Sequence, residues 1–157
     1  MQEIIEAIEA TAKEQKIDPK LLQAICTVES SLKTNLVRFE PAYSYLFQTS
    51  TFATKLLISQ DTEAACQKFS YGLGQVMGAV CREYGYKENL MSLVTDWKTA
   101  LKFSAMHLAK YLKNRPNVQD AIASYNAGSV RKTPDNIYVN QAYVNKVMHE
   151  FEMLKSV

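Results

Sequence analysis

Apolar residues recur at helical spacing along almost the whole of this chain, and few residues interrupt them. Ile4, Ile5, Ile8 and Ala12 share one face, with acids and glutamine opposite, which predicts an amphipathic helix over about 2–15. Asp18-Pro19 pairs an N-cap acceptor with proline at the first helical position, so a second helix starts at 19 and runs to about 31. Further helices are predicted over 51–59 (Phe52, Leu56, Leu57), over 62–68 capped by Asp61-Thr62, and through Val76, Met77 and Val80 to Tyr84, with Gly85 as C-cap. The longest begins at Asp96 and reaches about 113 on a stripe of Trp97, Leu101, Ala105, Leu108 and Leu112. Past Pro116 follow helices over 117–126, closed by Gly128, and over 140–155, carrying Tyr143, Val147, Phe151 and Leu154. With only 5 glycines and 4 prolines, the composition argues against an all-β fold. No convincing strand is visible, although a short hairpin within 32–50 or beside 70–75 stays open. The expectation is a mainly α protein forming a single domain over 1–157.

A chain of 157 residues buries roughly 70% of its unfolded surface and needs neither metal nor disulfide to fold. Cys26, Cys66 and Cys81 are odd in number, form no CxxC pair and flank no histidine at ligand spacing, so they read as buried thiols. No metal or cofactor is expected. A net charge of +2 gives no footprint for nucleic acid. The first fifteen residues lack the basic head and apolar stretch of a signal peptide, and no apolar run approaches the ~20 residues of a membrane span. A protein acting outside the cytoplasm would then need another means of delivery.

One acid is out of place. Leu22, Ile25, Cys26 and Glu29 fall at i, i+3, i+4 and i+7, so Glu29 lies on the stripe expected to face inward. Desolvation disfavours a carboxylate, and a carboxyl that holds its proton near neutral pH suits a general acid. The alternatives are a helix-end residue that reaches water, or the partner of a buried arginine. The segment 32–50 has no clean periodicity; it contains Arg38, Glu40-Pro41 and the aromatics Phe39, Tyr43, Tyr45 and Phe47, and it reads as a turn or excursion covering the surface near Glu29. Such aromatics either pack or stack on sugar faces. Gly72 and Gly74 mark a tight loop entering a helix, where backbone can approach a ligand or simply turn.

Taken in order, Glu29-Ser30 ends a helix, Gly72-Leu73-Gly74-Gln75 opens one, Tyr125-Asn126-Ala127-Gly128 closes one, and Tyr143-Val144-Asn145-Lys146-Val147 lies in the last. This order resembles the soluble lytic transglycosylase domain, which has a lysozyme-like helical fold shared with goose-type lysozyme and cleaves peptidoglycan. The likeness covers roughly 5–150. It implies that Glu29 is the catalytic acid/base, that Gln75 and Asn126 bind glycan or support the site, that Tyr125 and Tyr143 line the cleft, and that Met77 lies under the substrate. Ser30 and Glu40 are counted with the substrate-binding residues. Two departures are Tyr71 where the family more often has Ser and Gly74 where it has Met. The stretch between Ser30 and Gly72 is longer than usual, and Arg38-Phe39-Glu40-Pro41 resembles phage-borne members. That implies a bacteriophage or prophage origin, with a holin or the virion as the delivery route, and action on the cell wall as a monomer.

The resemblance also implies a mechanism with one carboxyl. Glu29 protonates the oxygen bridging N-acetylmuramic acid to N-acetylglucosamine, the muramic acetamide attacks C1, and Glu29 then takes the O6 proton as a 1,6-anhydro ring closes. Two alternatives remain at this point. Glu40 could hold a water and make the chain a hydrolytic lysozyme, unless it only pairs with Arg38 or a lysine. The scaffold could otherwise serve as a non-catalytic wall-binding or tail domain.

Overall fold

The structure, a computed structural model, describes residues 1–115 and 117–157. Pro116, expected after the break at Asn114-Arg115, lies outside the described residues. Contacts divide the chain into two compact units, Met1–Glu29 with Ala105–Val157, and Ser30–Ser104.

The first unit is helical. It holds α1 (Gln2–Gln15), α2 (Pro19–Ser30) up to Glu29, the second half of α6 (Trp97–Asn114), α7 (Val118–Ala127) and α8 (Gln141–Lys155). Lys16 adopts a left-handed conformation and closes α1, and Ile17 N–H bonds the Ala12 carbonyl at 3.0 Å. Asp18 Oδ1 accepts from Lys20 N–H at 2.8 Å, the cap expected for α2. Asn117 caps α7 by accepting from Asp120 N–H at 2.8 Å, and Gly128 ends it at φ 76°. Ile8, Leu22, Ile25, Leu108, Ile122 and Val147 are fully buried. They are the inward-facing members of the helical stripes, and burying each is worth roughly 1.5–3 kcal/mol.

The second unit contains strands at both places where the sequence leaves a short hairpin open, within 32–50 and beside 70–75. β1 (Val37–Phe39), β2 (Phe69–Tyr71) and β3 (Val76–Met77) form an antiparallel sheet in that order. Val76 and Met77 were assigned to a helix but are strand. The Gly72–Gln75 loop therefore closes a hairpin, and α5 (Gly78–Glu83) starts only after β3. Three residues are too few for a period of two to show, and the i, i+1, i+4 pattern of Val76, Met77 and Val80 mimics a helix. In register, Arg38, Ser70 and Met77 stand opposite one another across the three strands, and Val37, Tyr71 and Val76 form the neighbouring row. Adjacent rows face opposite sides of a sheet. Tyr71 and Val76 are buried, so the second row is the core side.

Around the sheet stand α3 (Thr49–Leu56), α4 (Gln60–Gln67), α5, a 3-10 helix Leu90–Val94 absent from the sequence reading, and the first half of α6. Ser59 caps α4 by accepting from Thr62 N–H at 3.0 Å, so this helix starts two residues before the expected 62, and Asp61 lies inside its first turn. Arg82 of α5 and Glu63 of α4 form a buried pair, Nε to Oε1 at 2.8 Å and Nη2 to Oε2 at 3.0 Å. Because α4 leads into β2 and α5 follows β3, this pair holds both ends of the hairpin.

Candidate active site

Glu29 is half-buried in the last turn of α2. Tyr143 of α8 donates its hydroxyl to Glu29 Oε1 at 2.8 Å. Burial, the Glu29 charge and the neighbouring Tyr125 push the Tyr143 hydroxyl well above its usual range. It therefore remains a donor at any working pH, and a donor stabilises the carboxylate form of its partner. Cys26, one turn before Glu29, is fully buried; burial and the Glu29 charge raise its thiol far above the usual range, which keeps it an inert neutral wall.

Tyr125 is buried at the end of α7 and packs against His107, with ring centroids 5.4 Å apart; His107 in turn meets Tyr111 edge-on at 4.8 Å. Burial, with Lys110 adding to it, lowers the His107 pKa to about 4. The imidazole is thus neutral beneath Tyr125. Asn126 is exposed, and its Oδ1 accepts from Asn140 Nδ2 at 2.9 Å. The same Asn140 nitrogen reaches the Ala123 carbonyl at 3.0 Å. Tyr138 donates to Asp120 Oδ1 at 2.5 Å, and Lys132 lies 3.8 Å from the same oxygen, so the 129–140 loop is fastened to α7.

The hairpin side has its own construction. Ser30 is buried, and its hydroxyl donates to the Leu73 carbonyl at 2.8 Å. Gln75 is buried with φ 51°, a left-handed conformation that costs a non-glycine residue roughly 1–2 kcal/mol. Its side chain offsets that cost. Nε2 donates to the carbonyls of Gly72 at 2.8 Å and Leu36 at 3.0 Å, while Oε1 accepts from Ser70 Oγ at 2.8 Å and Arg38 Nε at 2.9 Å. Glu40, half-exposed, lies 4.0 Å from Arg38 Nε. Met77 is half-buried in β3. Phe39 and Tyr45 are exposed, whereas Phe47 packs toward Phe52 with centroids 6.4 Å apart.

The structure thus joins Glu29 to Tyr143, and joins Gln75 to Arg38 and, through it, to Glu40. Asn126, Ser30 and Met77 each hold a separate place. Arg38, Ser70, His107 and Asn140 were not singled out as site residues in the sequence. The adjacency of Arg38 to Glu40 was the only local signal for any of them. Among the described residues, no group of three or more His, Cys, Asp or Glu side chains could hold a metal ion. No described helix is long and apolar enough to cross a membrane.

The sequence model of the transglycosylase SLT domain matches residues 6–148. No curated protein and no solved structure matches the chain.

Proposed function

The chain belongs to the transglycosylase SLT domain family, glycosidase-like lytic transglycosylases acting on cell-wall peptidoglycan, and from that premise we propose that it cleaves the β-1,4 bond between N-acetylmuramic acid and N-acetylglucosamine to leave 1,6-anhydromuramic ends. Glu29 is the single acid/base. The observation that carries this reading is the hydrogen bond from Tyr143 to a half-buried Glu29.

In the first step protonated Glu29 gives its proton to the bridging oxygen, and the bond from C1 to that oxygen breaks. The acetamide oxygen of the muramic residue attacks C1, giving an oxazolinium. Glu29 is now a carboxylate and accepts the Tyr143 hydrogen bond, which lowers the energy of the charged state that the first step creates. It then takes the proton from the muramic O6 hydroxyl, O6 attacks C1, and the acetamide is released. No water is consumed, and Glu29 ends protonated. Tyr125, Asn126, Ser30, Gln75 and Met77 serve the glycan or its positioning. For Ser30 and Gln75 the supporting observation is that their side chains are committed to the hairpin backbone, which makes them positioning residues. Glu40 lies at Arg38 on an exposed surface, which favours a polar rim role over that of a second catalytic carboxyl.

The test is to digest purified peptidoglycan and weigh the products. Anhydro ends, one water lighter than reducing ends, support the proposal, and Glu29→Gln should give no product while keeping the wild-type circular dichroism. Reducing ends would make the chain a lysozyme. Full activity of Glu29→Gln would remove Glu29 from the chemistry.

A further inference from the structure

We propose that Asn140 is a positioning residue that fixes the Asn126 amide with its N–H donors turned outward, so that the glycan group met there is an acceptor oxygen, an acetamide carbonyl or a hydroxyl. This rests on the function proposed above, in which Asn126 serves the glycan, and deepens it. One atom fixes the polarity of the rest. The Ala123 carbonyl of α7 can only accept, so the Asn140 side-chain atom 3.0 Å from it is the amide nitrogen. The same nitrogen lies 2.9 Å from the Asn126 side chain, which therefore presents Oδ1 to it. Asn140 Nδ2 has two hydrogens, and both are used. Asn126 is exposed in the last turn of α7, and its own Nδ2, on the other arm of the amide, makes no hydrogen bond among the described residues. Its two donors are left for a ligand.

Asn140 is the N-cap residue of α8, where an asparagine oxygen ordinarily accepts from the first turn. Here the side chain makes no such bond and is turned back to α7 instead. The loop before it is fastened without the asparagine pair: Tyr138 donates to Asp120 Oδ1 at 2.5 Å, and Gln141 Oε1 accepts from Tyr138 N–H at 3.1 Å. A hydrogen bond to an exposed Asn126 competes with water and adds little stability. What it adds is direction. An unheld amide turns about its broad last torsion and shows oxygen and nitrogen alike, whereas the held one shows its donors. Asn140 also opens the helical turn that carries Tyr143, whose N–H bonds the Asn140 carbonyl at 3.0 Å. Tyr143 in turn donates to Glu29, so one turn of α8 sets both the acid and the donor.

The experiment measures binding by calorimetry in the Glu29→Gln protein, which should hold glycan without cutting it. The probes are peptide-stripped glycan strands and chitohexaose; the second is neutral, so a loss there owes nothing to an added charge. Asn126→Ala removes the donors and should weaken binding about three- to tenfold. Asn140→Asp puts a carboxylate, which only accepts, where the nitrogen was. Asn126 then turns its Nδ2 inward and its oxygen outward, and binding should fall at least as far. Aspartate suits a helix N-cap, so this variant should fold. The double variant should bind no more weakly than the weaker of the two singles, because Asn140 acts through Asn126. In the active protein Asn140→Asp should raise KM on peptidoglycan with kcat little altered. Unchanged binding in Asn140→Asp, losses that multiply in the double variant, or a fall in kcat at constant KM, which would place the effect on Tyr143, overturns the proposal. Failure of the Glu29→Gln protein to bind either glycan would overturn the proposed function along with it. If Asn140→Asp does not fold, the side-chain amide NMR signals of the Glu29→Gln protein decide. The Asn126 pair should exchange fast with water and shift on adding glycan strands, and the Asn140 pair should exchange more slowly. The reverse order of exchange, or an Asn126 pair that glycan does not move, refutes the assignment.

Discussion

Removing Arg82 should cost this protein a large part of its stability. Arg82 and Glu63 are each 1% exposed, and their two hydrogen bonds, at 2.8 and 3.0 Å, form a bidentate pair. Arg82 Nη1 also donates to the carbonyls of Tyr86 at 2.8 Å and Glu88 at 2.7 Å, and the guanidinium lies 4.3 Å from the Phe52 ring centroid. Arg82→Met keeps much of the volume but leaves the Glu63 carboxylate buried without its cation. Breaking a buried pair in this way costs about 3–5 kcal/mol. The carbonyls of Tyr86 and Glu88 belong to part-exposed and exposed residues, so water replaces Arg82 there at little expense. The total is about 4 kcal/mol. An unfolding entropy of roughly 2.1 cal/mol/K per residue gives about 0.33 kcal/mol/K for this chain, so the thermal midpoint should fall by about 12 °C.

The assay is urea unfolding followed by the fluorescence of Trp97, the only tryptophan, which lies in the same unit as the pair. Glu63→Gln should cost a similar amount, because it strands the opposite charge. Glu63→Leu with Arg82→Met should recover most of the loss, since both charges leave together and Gln67 Nε2 keeps the Phe47 carbonyl at 2.8 Å. An Arg82→Met protein within 1 kcal/mol of wild type, or a double variant as weak as the singles, would refute the account.

Other substitutions test the site. Tyr143→Phe removes a donor to a charged partner and should lower peptidoglycan cleavage about tenfold or more, shift the pH–activity profile upward because the carboxylate form is less favoured, and leave circular dichroism unchanged. His107 falls from 6.5 to about 4 in the fold, so between those values the unfolded chain binds the extra proton. Wild type should therefore lose up to about 3 kcal/mol as pH drops from 6.5 through 4, and His107→Gln, compared by urea unfolding at each pH, should lack that part of the slope. Gln75→Glu replaces the donors to Gly72 and Leu36 with acceptors and should lower the thermal midpoint by several degrees despite the nearby Arg38.

Much of the helical framework was legible because its signals are local. Asp18-Pro19 and Gly128 act within one turn of themselves, and the stripes of α1 and α6 span enough residues for a 3.6 period to stand out. The sheet was legible only as a hairpin left open within 32–50 or beside 70–75, because its strands are two or three residues long and pair across up to 34 positions, from Val37 to Tyr71. Separations of 37 and 19 positions likewise hid Arg38 from Gln75 and Glu63 from Arg82. Glu63 reads in sequence as one more polar residue of a surface helix, and its burial follows only from the meeting of α4 and α5. Glu29 was visible as an acid on an apolar stripe, but its partner Tyr143 lies 114 residues away, and spacing carries no trace of that contact.

Gln75 shows why a residue that breaks a local rule belongs where it is. At φ 51° a glycine would be the easier residue, as Gly72 is at φ 70° three positions earlier. A bare turn would therefore favour glycine. What glycine lacks is an amide that donates twice and accepts twice. Glutamate has the reach but donates nothing to Gly72 and Leu36, and asparagine is one methylene shorter. Only a glutamine at this backbone position ties the hairpin loop to the segment before β1 and at the same time offers an oxygen to both Ser70 and Arg38. The strain is offset by four hydrogen bonds from one side chain, which hold the loop, Ser70 and Arg38 together.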